Sequence, residues 1–177
     1  MGISRCLFVF FINYLLFSCS DTDEKLHAYI NKELNASSDD SCYINLIDAL
    51  EIKYDTMYIF GEFCKAGEIS SVLRQDYVNA DAVEEGSRRI ILLKEGKVVY
   101  EDTYEQKYII ISGGERLKNI DPTKITCYCR VYASPVFLVE RINDDKGHLT
   151  KYFYLLQNVK KDGTISPVEQ MVDGVWQ

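Results

Sequence analysis

Residues 88–105, RRIILLKEGKVVYEDTYE, set two β-rich runs on either side of KEGK, a short segment holding Gly96. Ile90, Ile91, Leu92 and Leu93 on one side and Val98, Val99 and Tyr100 on the other are residue types that fit a pleated, packed surface. With a glycine between them, the two runs read as a β-hairpin. The first arm is apolar without alternation, so it is expected inside a sheet with both faces covered. Such a strand needs neighbours on both sides.

The sequence supplies them. CYINL (42–46), TMYIF (56–60), KYIIIS (107–112), ITCYCRVY (125–132), VFLVERI (136–142) and LTKYFYLL (149–156) all read as strands. Turn-rich Ser134-Pro135 and residues 143–147 separate the last three. In GEISSVLRQ (67–75), Ile69, Val72 and Leu73 fall at helical spacing. The fold class expected is therefore α+β: a mainly antiparallel sheet with one core helix after the second strand.

Residues 54–69, YDTMYIFGEFCKAGEI, resemble small uncharacterised bacterial secreted proteins that carry a Trp-Asp pair, an aromatic-rich strand ending in Gly-Pro-Tyr, and a helix that opens with acids. Here Tyr54 stands for the Trp and Glu62 for the Pro. The resemblance implies a strand-turn-helix placement and no activity.

The N-terminus obeys different rules. One cation, Arg5, precedes an apolar run at residues 6–17, and Ser18 follows it. This is the layout of a secretory signal. The run is twelve residues long and interrupted by Asn13 and Tyr14, whereas a membrane-crossing helix needs about 20 apolar residues. L-F-S-C, residues 16–19, resembles the lipobox of bacterial lipoproteins, with Phe17 where the family carries a smaller residue. That resemblance implies a diacylglycerol thioether on Cys19, cleavage after Ser18 and acylation of the new amino group, with no other cofactor. More than one chain is needed for firm anchoring, because each buried methylene contributes about 0.8 kcal/mol. An ordinary cleavage site and an uncleaved anchor helix are the competing readings. The opening MGISRC lacks the Ser or Thr at its sixth position that myristoylation requires.

Three segments follow: a removed signal at 1–18, a lipid-anchored acidic tether at 19–41 with a short helix within it, and a globular domain at 42–177. The tether, with SDTDEK and NASSDDS at its ends, is expected to be flexible and to bury little. Within the lipoprotein resemblance, Ser20 behind the cysteine implies the outer rather than the inner membrane. The acids behind it mark either surface export or a solvated tether.

Removal of 18 of the 177 residues takes away one cation, leaving 19 against 27 acids and a net charge of −8. Such acidity, with no basic patch beyond Arg88-Arg89, argues against nucleic acid as a partner. The partners expected are the membrane, through the anchor, and an envelope protein or glycan.

Four cysteines remain after Cys6 and Cys19 are set aside: Cys42, Cys64, Cys127 and Cys129. They are either buried thiols or include at least one disulfide to Cys42 or Cys64, which the exported compartment permits. Cys-x-Cys with distant His148 is poor zinc spacing, so no metal site is assigned. On a strand, Cys127 and Cys129 share one face and Tyr128 and Tyr132 the other. With Tyr152 and Tyr154 these tyrosines form either an interaction face or a covered set of cross-strand pairs. No catalytic residue is assigned, because His27 and His148 sit in no nucleophile-base motif and the paired acids read as surface. Three functions stand: a lipid-anchored binding module, an envelope enzyme whose site forms only in three dimensions, and a structural envelope lipoprotein.

Overall fold

The computed structural model describes residues 22–78, 81–106, 109–116, 129–143, 152–166, 171–172 and 175–176. Helix α1 (Thr22–Ala36) leads into β1 (Ser41–Asn45), α2 (Leu46–Leu50), β2 (Thr56–Phe60) and α3 (Ala66–Leu73). Then come β3 (Ser87–Lys94), β4 (Lys97–Glu105), β5 (Ile109–Ser112), β6 (Glu115–Arg116) and β7 (Cys129–Tyr132). β8 (Val136–Asn143), β9 (Tyr152–Asn158), β10 (Met171–Val172) and β11 (Val175–Trp176) complete the order.

Two sheets hold nine of these strands. One runs β1-β8-β9-β5, the other β4-β3-β2-β7-β6, and β10 and β11 form a separate ribbon. All pairs are antiparallel except β5 with β9. The chain is thus α+β and mainly antiparallel, as its patterning predicts. TMYIF is β2 to the residue, and the KEGK hairpin is the β3-β4 pair. Its turn has Glu95 at φ 53° and Gly96 at φ 74°, the double positive φ of a tight two-residue hairpin loop. The Glu95 N–H is held by the Asp55 carboxylate at 2.7 Å.

β3 is covered on both faces. Ile90 and Leu92 enter the main core between the sheets, alongside Met57, Ile59, Phe137, Val139 and Leu156. Ile91 and Leu93 enter a smaller core on the opposite face, with Phe60, Cys64, Ile69, Leu73, Val83 and Cys129. α3 closes that second core. Its first turn is fixed by the Glu68 carboxylate, which accepts the Lys65 N–H at 2.9 Å, and it stops at Arg74 in the left-handed region.

The stretch expected to be a tether behaves otherwise. Leu26, Ile30 and Leu34, spaced four apart in α1, are all buried in the main core, so the folded body includes Thr22–Ala36 as well as the residues from 42 onward. The acids of this stretch hide a narrow apolar stripe, and a stripe needs only one residue per turn to dock a helix. α2 is a further addition to the single core helix expected. It is capped by the Asn45 side chain, which accepts the Ile47 N–H at 3.0 Å, and buries Leu46, Ala49 and Leu50. Five residues are too few to show a period.

Candidate binding cleft

At the end of the sandwich where β5, β7 and β9 stop, the chain leaves a cleft of about 380 Å³. That is within the usual range for small-ligand sites, about 300–1,000 Å³. One wall is the crossing from β5 in one sheet to β6 in the other, made by Gly113 and Gly114 at φ +83° and +77°. A Cβ on Gly113 would lie 2.5 Å from Ser166 Cβ, and one on Gly114 would lie 2.8 Å from the Tyr132 ring. Glycine is required at both positions by conformation and by space.

The facing wall is a hairpin loop closed by the Val159–Ile165 bridge. Within it the Asp162 carboxylate accepts the Thr164 N–H at 2.9 Å and the Thr164 hydroxyl at 2.7 Å, a local turn clamp. Those two bonds, the hydroxyl's first, hold the Asp162 carboxyl below its ordinary value. Lys160, Lys161 and Asp162 stand exposed on this rim, and Glu115 stands exposed opposite.

Asn158, Ser134 and Ser166 at the base of the cleft are buried and bonded within the protein. The Asn158 side-chain amide donates to the Ser134 carbonyl at 3.0 Å and the Val136 carbonyl at 3.3 Å, and the Asn158 backbone carbonyl accepts the Ser166 N–H at 2.8 Å. The Ser134 hydroxyl accepts the Val136 N–H at 3.3 Å. These bonds lock the three turns together. Most of the accessible lining is apolar, with charges of both signs at the rim, which suits an amphipathic ligand. Sequence reading missed the cleft, because SGGE and KKDGT are remote in the chain; adjacent glycines after a strand were the one available signal.

The residues singled out from the sequence are distributed as follows. Cys64 is buried and disulfide-bonded, and its partner lies outside the described residues. Cys42 and Cys129 are free thiols. Burial pushes the Cys129 thiol up to about 12 against the pull of Arg130, and burial followed by the Glu33 charge raises Cys42, so both stay protonated at neutral pH. Cys19, Cys127, Tyr128 and His148 lie outside the described residues, and Tyr152 is described only as the first residue of β9.

Tyr132 and Tyr154 are 1 % and 0 % exposed, and they belong to different sheets. They form no shared open face. Both point into the core between the sheets, where the bulk of an aromatic ring is best used. Tyr132 packs on Phe137 at 5.8 Å between ring centroids, while the Tyr154 hydroxyl donates to the Asn31 carbonyl oxygen at 2.6 Å.

Asn31 in turn donates to His27 Nδ1 at 2.9 Å, and the His27 ring meets Tyr154 edge-on at 5.0 Å. His27 is therefore part of the docking of α1 and carries its neutral-form proton on Nε2. Burial lowers its pKa from 6.5. At the start of α1 the Thr22 N–H and hydroxyl both donate to the Asp102 carboxylate on β4, the N–H at 2.9 Å. Burial alone would raise the Asp102 carboxyl. The bonds from the Thr22 hydroxyl, the Thr103 and Thr22 N–H groups and the Tyr100 hydroxyl outweigh it and hold the pKa below 3.8.

Among the described residues, no three His, Cys, Asp or Glu side chains gather as a metal site, and no helix is long and apolar enough to cross a membrane. Comparison of the chain with models of known families, with curated proteins and with solved structures returns no match.

Proposed function

We propose that the chain is a lipid-anchored protein of the bacterial envelope whose folded body is a binding module, with the cleft beside Gly114 and Asn158 as its ligand site. The observation that carries this reading is a fit of boundaries. Cleavage before Cys19 would remove the apolar leader and retain Thr22, the first described residue, which is buried and hydrogen-bonded. The disulfide at Cys64 supports it, since structural disulfides belong to oxidising compartments such as the bacterial periplasm. The cleft, apolar over most of its lining and charged at its rim, supports the binding role, for a glycan or a segment of an envelope protein.

Mass spectrometry of the membrane fraction tests the anchor: the expected N-terminus is Cys19 carrying diacylglycerol, and a mature chain that starts at Ser20 or keeps Met1 refutes it. Titration of the protein with soluble cell-wall glycan fragments tests the cleft. Chemical shift changes are expected at Glu115, Lys160 and Lys161 and are lost in the Lys161→Glu variant. Shifts elsewhere, or none, remove the cleft from the proposal.

A further inference from the structure

The start of α1 is fixed to one edge of the five-stranded sheet. Thr22 is fully buried, both its donors go to Asp102, and its hydroxyl lies 2.6 Å from the Tyr100 hydroxyl. Asp102 and Tyr100 are on β4, which pairs with β3 and, among the described residues, ends the sheet on that side. Three residue steps separate Cys19 from Thr22, and at 3.3–3.6 Å per step the chain reaches about 10–11 Å at most. An acylated Cys19 is thus tied close to the β4 edge.

The end of that edge nearest the hairpin turn offers a patch for contact with a surface. Lys97, Val98 and Val99 are exposed there, while Glu101 and Glu105 are exposed further along, and the register slips between Leu92 and Leu93, so that Tyr100 pairs with Leu92 and Val98 with Leu93. Val99 is the extra residue of a bulge, a device that re-aims side chains at sheet edges. The two valines, 37 % and 44 % exposed, stand side by side there. The cleft lies at the far edge, on β6 and β7. In the order β4-β3-β2-β7-β6 the two edges are four strand spacings apart, about 19 Å at about 4.8 Å each.

We infer that the β4 edge rests on the bilayer surface and that the cleft opens on the side away from it. This inference depends on the lipid anchor proposed above and adds its geometry: the body is held against the membrane by a three-residue link, and its ligand site faces outward.

Amine-reactive labelling read by mass spectrometry tests the orientation. The full acylated chain is added to preformed vesicles of equal parts phosphatidylethanolamine and phosphatidylglycerol. It is compared with a variant carrying a Gly-Ser insert of about 10 residues after Asp21, which extends the link by roughly 17 Å. Lys25, in the first turns of α1, and Lys97 are expected to label several-fold more slowly in the parent than in the insert variant, while Lys160 and Lys161 label equally in both. Equal labelling of all four lysines in both proteins overturns the orientation and leaves the anchor standing. A chain that does not bind the vesicles overturns the anchor, and the orientation with it.

Discussion

The two cores on either face of β3 are closed by different means. The main core lies between two sheets and is sealed by α1 and α2, so that among the described residues twenty buried ones support one another from several elements. The outer core has eight among the described residues, including Phe60, Ile69 and Leu73, under an eight-residue helix and the loop that carries Val83. Its described cover is thin, and Cys64 within it is covalently stapled. The difference shows what sheets gain from area: where a second sheet is opposed, packing alone closes the core, and where only a short helix is available, a crosslink adds what the missing surface does not.

Truncation in α1 is the sharpest way to break this comparison. Leu26→Ala is expected to cost about 3–4 kcal/mol in urea unfolding, because it opens a cavity in the main core. A loss near zero would show that α1 is the spacer its acidity suggests. Cys64→Ser is expected to cost about 2–3 kcal/mol. The loss should be local, with amide exchange accelerating in α3 before β8 and β9; uniform acceleration would merge the two cores into one unit. Gly114→Ala forces a side chain against the Tyr132 ring at a positive φ and is expected to lower stability by about 1–2 kcal/mol.

Asp102→Ala, which removes the clamp on the start of α1, is expected to cost about 1 kcal/mol by the scale of helix N-terminal caps. Because the Asp102 carboxyl is held below 3.8, its contribution is present above that value and disappears as pH falls through the lower folded one. The Asp102→Asn variant should lose that acid-side decline. The smallest effect concerns His27. Its folded pKa lies below 6.5, so its neutral form stabilises α1 fully above pH 6.5 and that support fades as pH drops through the folded value. His27→Gln should flatten the decline, and an unchanged unfolding profile between pH 7 and pH 5 would remove His27 from the docking of α1.

Local patterning made most strands readable. Ile90 to Leu93 declared a strand buried on both faces, and the structure divides them alternately between the two cores. At Thr22–Ala36 the same reasoning anticipated a helix, over about Asp23 to Leu34, but not its burial, because seven charged or amide side chains outweighed three aliphatics in any average over the stretch. Only the position of Leu26, Ile30 and Leu34 opposite the sheets gives those three their value. The tyrosines show the converse. Alternation assigns Tyr132 and Tyr154 to strand faces, but whether a face is open depends on what lies across from it, and here both look inward.

What the sequence determined by itself was periodic and local: most of the strand set, the β3-β4 turn and helix α3, since each depends on neighbours within a few residues. What only the tertiary structure decided was which sheet each strand joins, the parallel pairing of β5 with β9, the burial of α1, and the meeting of Gly114, Asn158 and Ser166 in one cleft. Gly114 lies 44 positions before Asn158 in the chain. Their proximity is set by how two twisted sheets and a helix fill a common volume, a constraint that no window along the chain contains.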